Sequence, residues 1–409
     1  MECPRRKIKI LRIKTRLTIG GPDIHVLLLN SGLDKERFES YLAVGAVEKG
    51  EPDMTYLAQE MGLEFFVIPE LKRGIRLKDD FVAFLKLYRL MRKLKPDIVH
   101  THTAKAGTLG TLAAIISRVP IRIHTYHGHV FHSYFGKSRT RLFIIVERIL
   151  ARFRNKIIVI SQSQFKDVKD IYRIAPEKKC PLIPLGLDLE PFLRQGVRKD
   201  NSHAAGDFKR RSSIDEDTSL VGMIGRLVDV KNIKMFLDAA KRIKRDAPAM
   251  KVKFLIVGDG TQRSDLESYA SMLNIEDSVI FRGYLPELIG ERAELVSIYK
   301  DLDVVALTSL NEGTPISLIE AMASGKAVVS TDVGGVRDVV THNASGLLSP
   351  SQDVERFCSH LLGLLRDKTR REEMGRTGRV FVSKMFSKER LLRDIEKLYD
   401  EEVEKRSLL

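Results

Sequence analysis

The stretch that decides the fold is Val304–Leu310, VVALTSL, running into Asn311–Glu320, NEGTPISLIE. The apolar run Val304–Leu307 reads as a buried strand, the polar residues after it as a loop, and Gly313-Thr314-Pro315 as the start of a helix. Pro315 suits the first helical turn, where a missing N–H costs nothing. One carboxylate, Glu312, falls in the loop and a second, Glu320, falls eight positions later on the helix. The N–H groups of Ile316 and Ser317 are then expected to point out of the helix end, a setting that favours an anion. An acid beside an anion site suits a ligand that offers hydroxyls as well as phosphate, as a nucleotide sugar does. A glycine-rich turn, Thr331-Asp332-Val333-Gly334-Gly335, follows.

Outward from this stretch the same strand–helix alternation recurs. Upstream it predicts strands at Ile8–Ile13, Tyr41–Val44, Phe65–Ile68, Ile98–His102, Ile121–Tyr126, Lys156–Ile160 and Leu182–Pro184, with helical patterns such as Asp80–Lys95 and Gly107–Ile116 between them. It resumes at Leu220–Ile224, Val252–Val257, Val279–Arg282, Val304–Thr308 and Ala327–Ser330. Alternation of this kind means an α/β fold with a parallel sheet and helices on both faces, and two rounds of it mean two doubly wound domains. The expected division is residues 1–190, a linker or surface excursion at 191–218, a second domain at 219–380, and a C-terminal helix at 381–409. The polar, aperiodic stretch Gln195–Thr218 marks the linker, and Leu391, Leu392, Ile395, Leu398 and Tyr399 lie at helical spacing near the end. Ligands of such sheets bind beyond the carboxyl ends of the strands.

At 409 residues the chain is long enough for two cores, and 43% hydrophobic with 30% charged residues is ordinary for a globular protein. No run approaches the ~20 apolar residues of a membrane span. Met1–Lys7 is basic but has no long apolar region behind it, so no signal peptide is expected. Cys3, Cys180 and Cys358 are too far apart to suggest a disulfide framework or metal-ligand spacing. A cytoplasmic location, peripheral at the inner face of a membrane, is the expectation. The net charge is +15, from 69 Lys+Arg and 54 Asp+Glu. Residues 1–200 hold 37 basic and 21 acidic residues (+16), leaving 32 and 33 (−1) for the rest. That asymmetry points the first half at something negative: nucleic acid, an anionic membrane or a phosphorylated substrate.

Several further residues fall just after strands. Arg226 and Lys231 bracket the loop after Leu220–Ile224. Two cations there suit a diphosphate and its developing charge, against the plainer reading of surface charge. Gly20-Gly21-Pro22-Asp23 follows the first strand, either as a close backbone approach to a ligand or as a simple turn. Gly258-Asp259-Gly260 invites a nicotinamide reading, but Arg263 stands where the third glycine belongs. Lys105 opens a helix after Ile98–His102 and is either a phosphate contact or a surface lysine. His100, His102, His124, His127, His129 and His132 cluster in the first half without the carboxylates that would complete a metal site. His100 and His124 read as core histidines. His127 at a strand end suits a substrate hydroxyl, and His129 would share its face. Lys137–Lys156 holds seven basic residues and one acid, Glu147, around an apolar run. It is either a helix packed on the sheet or one lying on an anionic membrane.

Taken together these residues resemble the retaining family 4 glycosyltransferases of GT-B fold, two Rossmann-like domains facing a central cleft, and in particular their polysaccharide- and lipid-acceptor branch. The resemblance rests on the Glu312/Glu320 pair, on Gly225-Arg226 with Lys231, on Gly258-Asp259-Gly260, and on Ile183–Asp188, with Leu185 where relatives often have Asn. Thr101–Gly107 and His127-Gly128-His129 add to it. It implies that Arg226 and Lys231 hold a donor diphosphate and that Glu320 accepts from the ribose hydroxyls. It places Glu312 at the donor sugar, with Thr314, Pro315, Ile316 and Ser317 at its phosphate. Arg282, Tyr284 and Leu285 would line the base pocket, Gly21 would approach the diphosphate, and His127 would touch the sugar near its 6-position. No metal and no cofactor are implied, the nucleotide sugar, a UDP-sugar first, being a substrate. The acceptor would be a glycan or a lipid-linked sugar. The rivals are a nucleotide-sugar epimerase on the same fold and a non-catalytic binder of membrane or nucleic acid. Nucleic acid is not expected as a partner, since no recognition motif or stacking platform stands out.

Overall fold

The computed structural model describes residues 6–18, 20–47, 53–72, 74–127, 137–194, 207–285 and 292–406, with side chains of 137–139 left out. The chain divides into two compact units, Met1–Leu187 with Lys388–Leu409, and Asp188–Ser387. Each is built on one six-stranded parallel sheet.

In the first unit the strands are β1 (Ile8–Lys14), β2 (Phe38–Val44), β3 (Phe65–Val67), β4 (Ile98–His102), β5 (Ile121–Thr125) and β6 (Lys156–Ile158), in the order β3-β2-β1-β4-β5-β6. In the second they are β7 (Ser219–Ile224), β8 (Val252–Val257), β9 (Val279–Gly283), β10 (Val304–Leu307), β11 (Ala327–Thr331) and β12 (Gly346–Ser349), in the order β12-β11-β10-β7-β8-β9. The two orders are the same arrangement read from opposite edges. In each the first strand is central and the chain reverses direction beside it, between β1 and β4 and between β7 and β10. That reversal is where the carboxyl ends of neighbouring strands splay their loops apart and a ligand fits.

The central strands of the second unit, β7 and β10, are largely apolar because helices cover both faces, whereas β1 and β4 carry buried Arg12, Lys14, His100 and His102. Val304–Leu307 is buried at every position, and its neighbours β7 and β11 supply Val221 and Val329 to a core closed by Phe236, Phe254 and Phe357. The helix Lys388–Glu404 belongs to the first unit, where Leu391, Ile395, Leu398, Tyr399 and Val403 pack with Ile8, Ile10, Ile98 and Ile121.

Three expectations change. Leu182–Pro184 is not a strand: Leu182 makes a single bridge to Val159. β12 has no counterpart in the predicted strands, since its four residues GLLS follow the polar run Thr341–Ser345 and carry too little pattern to register. The linker stretch is not wholly irregular. Its residues 195–206 lie outside the described ones, but Asp207–Arg211 is a helix, anchored by buried Phe208 and by the Lys209 N–H donating to Asp301 Oδ2 at 2.9 Å. One apolar residue in a polar run was too weak a signal.

Candidate active site

Two loops at the carboxyl ends of β7 and β10 are tied together in the second unit. After β7 the chain makes a short turn, Asp229–Lys231, and Asn232, in the left-handed region at φ 46°, leads into the helix Ile233–Asp246. After β10, Leu310 N–H donates to Val230 O (2.8 Å), and the Thr308 hydroxyl lies 2.9 Å from Asn232 O and 3.1 Å from Lys231 O. This stitching aims Lys231 at Glu312. Lys231 Nζ and Ser309 Oγ both donate to Glu312 Oε1, at 2.5 and 2.6 Å.

The glycine turn after β11 closes the loop from the other side. Gly335 N–H donates to Glu312 O at 3.0 Å, and Thr331 Oγ1 to Ser309 O at 2.6 Å. Gly334 has φ 52°, and a Cβ there would lie 2.0 Å from Glu312 O, so only glycine lets the turn come this close. The Gly258 turn has a similar task. Its φ is 135° and a Cβ would sit 2.0 Å from Gly225 O. It is a support under the Arg226 loop, which accounts for the glycine without a nicotinamide.

The helix after this loop is Ile316–Ala323, and Pro315 caps it rather than occupying its first turn. Its φ of −77° fits, but its ψ of 96° is extended. Leu318 and Ile319 N–H groups point back to Pro315 O. Ile316 and Ser317 N–H groups precede the first intrahelical bond, so they are the open donors of the helix end. Beside them Thr314 Oγ1 is buried without a partner among the described residues. Arg226, at the end of β7, is exposed and makes no ion pair among the described residues.

Glu320 lies deeper, one face of its helix turned inward. Arg292 Nη1 donates to its Oε1 at 2.6 Å and the Tyr299 hydroxyl lies 3.0 Å from its Oε2. Arg292 also stacks over the Phe192 ring, 5.0 Å from its centroid. Burial first, and the Glu320 charge second, push the Tyr299 phenol well above its ordinary value. At the end of β9, Arg282 is paired with Glu294 (Nε to Oε1, 2.9 Å), Tyr284 is exposed and Leu285 is buried.

In the first unit His127 stands two residues past β5. His102 Nδ1 and His127 Nε2 are 2.9 Å apart, His25 meets His127 edge to face at 5.0 Å, and His100 lies tilted against His102 at 4.3 Å. Burial holds all of these imidazoles below their ordinary value, His25 at about 3, and neighbouring cations add to this for His25 and His100. Lys105 is not a free cation, since its ammonium is held by Asp80 at 2.5 Å. Gly21 begins the helix Gly21–Gly32 after the β1 loop, and Asp23 on that helix is buried against Lys14. His129 and His132 lie outside the described residues. No group of three or more His, Cys, Asp or Glu is placed to hold a metal ion among the described residues.

Residues 19–191 match glycosyltransferase family 4, and residues 206–381 match glycosyl transferases group 1. A curated Escherichia coli protein, UDP-Gal:alpha-D-GlcNAc-diphosphoundecaprenol alpha-1,3-galactosyltransferase, is 30% identical over 371 residues, covering 90% of this chain and 90% of its own. The chain belongs to the family 4 glycosyltransferases. The capsular polysaccharide biosynthesis glycosyltransferase CapM of Staphylococcus aureus is 29% identical over 339 residues, 82% of this chain and 84% of that one. Among solved structures, Anabaena HepE in complex with UDP superimposes with a TM-score of 0.78 over 97% of this chain and 100% of its own, at 18% identity. The fold is therefore GT-B, as the Glu312/Glu320 pair and the two rounds of alternation implied.

Several contributors were missed in the sequence. Arg292 and Tyr299 are 28 and 21 positions from Glu320, with no spacing that links them. His25 reaches the histidine cluster only because its helix packs on the sheet. A histidine within the apolar run Ile24–Leu29 was its one available signal.

Proposed function

We propose that this glycosyltransferase moves a hexosyl or N-acetylhexosaminyl group from a UDP-sugar to a hydroxyl of a lipid-linked or glycan acceptor, with retention and without a metal. The observation that carries the reading is the pairing of the loops after β7 and β10. It puts Lys231, Glu312, the buried Thr314 hydroxyl and the open N–H groups of Ile316 and Ser317 together at the carboxyl end of the second sheet. Cations and oriented amides at one place do what a bound cation does elsewhere: they stabilise charge as it develops on a leaving diphosphate. Arg226 adds a second cation. UDP is favoured because the E. coli relative is named for UDP-Gal and HepE was solved with UDP, and that relative's name also specifies a diphosphoundecaprenol acceptor.

In this reading the bond from the sugar's anomeric carbon to the phosphate oxygen breaks while the acceptor oxygen bonds on the same face. The acceptor's proton goes to the leaving phosphate. Glu312 positions the sugar and offsets the oxocarbenium-like charge, Glu320 accepts from the ribose hydroxyls, and Arg282, Tyr284 and Leu285 border the base. His127 serves the donor sugar and Gly21 the diphosphate. Lys105 would meet a phosphate only by exchanging Asp80 for it.

The acceptor's location is an anionic membrane surface. On the helix Lys137–Phe153, Leu142, Ile145, Ile149 and Phe153 are exposed at helical spacing, beside exposed Arg141, Arg148 and Arg152. Its single acid, Glu147, is turned inward to Arg154 and Tyr126. The outer face is thus apolar and cationic with no acid, which suits acidic headgroups over a hydrocarbon edge. No helix among the described residues is long and apolar enough to cross a membrane.

The test is a thermal-shift panel with UDP, GDP, ADP and NAD in a chelator. Ligand at 100 times its dissociation constant adds about 2.7 kcal/mol, and a shift with UDP is expected. Silence with every diphosphate would remove the donor site. In a parallel sedimentation, phosphatidylglycerol vesicles should carry the protein down and phosphatidylcholine vesicles much less; equal behaviour would count against the membrane face.

A further inference from the structure

Four histidines of the first unit, His25, His100, His102 and His127, meet near the carboxyl ends of β4 and β5, and their hydrogen bonds decide which nitrogens carry protons. His100 is settled by its neighbours. Buried Arg12 donates through Nη2 to the Tyr399 oxygen (3.3 Å), which leaves the phenol proton for His100 Nδ1 (2.7 Å). His100 Nε2–H then donates to Thr125 Oγ1 (2.7 Å).

His102 has a real choice. Its Nδ1 lies 2.9 Å from His127 Nε2, and its own Nε2 is buried without a partner among the described residues. If His127 donated, the His102 proton would sit on Nε2 as a buried, unpaired N–H. If His102 donates from Nδ1, the unpaired atom is a bare lone pair. Orphaned buried N–H groups are rare, and under-satisfied acceptors are less so. His25, with both nitrogens buried and unpaired among the described residues, has no such alternative. Three cations near the cluster, Arg12, Lys14 and Arg390, oppose a second proton on these rings, and the nearby acid Asp23 is paired with Lys14.

We propose that His102 is a positioning residue that fixes His127 as its Nδ1–H tautomer, so that His127 meets its ligand as a neutral hydrogen-bond donor and not as a base. One ring nitrogen's partner sets the proton on the other. His127 Nε2 is occupied as the acceptor from His102, and the remaining proton must be on Nδ1. A donor there fits a hydroxyl oxygen of a sugar, and it leaves the acceptor's proton to the departing phosphate. This kinetic consequence rests on the reading of His127 as a donor-sugar residue; the tautomer itself does not.

The test is nitrogen NMR of the imidazole rings in the histidine-labelled full chain, with His127 assigned by the signal lost in His127→Gln. Wild type should show His127 protonated at Nδ1. His102→Asn, whose amide can donate from the place of Nδ1, should keep that state, and His102→Phe should release His127 to the Nε2–H form that free imidazole side chains prefer. A wild-type His127 protonated at Nε2, or an Nδ1–H form that survives in His102→Phe, overturns the proposal. The wild-type spectrum alone decides if His102→Phe does not fold. In transfer assays His102→Phe should lower kcat about tenfold, the scale of one hydrogen bond, and His102→Asn should restore most of it. An Nδ1–H spectrum with no kinetic change would leave the tautomer standing and remove His127 from the donor sugar.

Discussion

In the second unit the candidate residues are held by charge: Lys231 against Glu312, Arg292 against Glu320, Arg282 against Glu294. In the first unit Lys105 is likewise paired, with Asp80, but His127 is held by neutrality, among His25, His100 and His102, which are buried and lowered chiefly by loss of solvent. Lys231 with Glu312, and His100 with His102, each sit beside the point where the same sheet topology reverses. The difference follows from what surrounds them. After β10 a short polar loop keeps Glu312 near water and within reach of a lysine. In β4, His100 and His102 are part of the strand, covered by His25 of the helix Gly21–Gly32 and Tyr399 of the helix Lys388–Glu404, with Arg12 close by. A charged ligand is matched by the first arrangement, and a directional contact to an uncharged hydroxyl by the second.

Acid should separate the two units most strongly. The folded values of the buried histidines lie below the ordinary 6.5, His25 at about 3. Below pH 6.5 the unfolded chain therefore binds protons that the folded chain refuses. Stability that is full above pH 6.5 is lost as pH falls toward the folded values, at about 1.4 kcal/mol per pH unit for each such histidine. Asp23, raised by burial, works in the opposite direction, but it is one acid against five imidazoles, His25, His100, His102, His124 and His127. Against an ordinary domain stability of roughly 5–15 kcal/mol, this makes the first unit the acid-labile one. Hydrogen exchange at pH 7 and pH 5, corrected for intrinsic rates, should show protection falling in β4 and β5 well before β7 and β8. Parallel loss in both sheets would break the comparison.

Glu312→Gln tests the charged side next. The amide oxygen can still accept from Lys231 and Ser309, so the loop should keep its shape while the negative charge goes. Nucleoside diphosphate should bind as before, and kcat should fall at least tenfold, about 1.4 kcal/mol of transition-state stabilisation. Unchanged turnover would mean that Glu312 only anchors Lys231.

How far each side was legible in the sequence follows the same division. Strands such as Val304–Leu307 announce themselves because a strand covered on both faces is apolar throughout, and Val252–Val257 departs from this only at Lys253. Lys231 and Glu312 could be placed because each follows such a strand within a few residues. Arg292, Tyr299 and Ser309 could not, since their link to Glu320 or Glu312 exists only once separate elements pack. The histidines were visible as letters, but His100 and His102 alternate with Val99 and Thr101 on a strand buried on both faces. Nothing in that alternation says which ring touches which. The reading of the Gly258 turn needed the contact with Gly225, which is 33 positions away.

The smallest effect is expected at Arg226, and it is the most direct probe of the charged side. Lys231 is already neutralised by Glu312, whereas Arg226 is exposed and has no ion pair among the described residues. Removing it should leave the loop intact, because the hydrogen bonds around it, Gly225 N–H to Val257 O and Leu227 N–H to Asp259 O, are backbone bonds. A charge-assisted bond is worth about 1.5–3 kcal/mol, but exposure and salt screening bring it to about 1 kcal/mol here. Arg226→Ala should therefore weaken UDP binding about fivefold at low ionic strength by calorimetry, and less at high salt, where the gap to wild type closes. Equal affinity at low salt would mean that Lys231 and the helix end at Ile316 and Ser317 carry the diphosphate without Arg226.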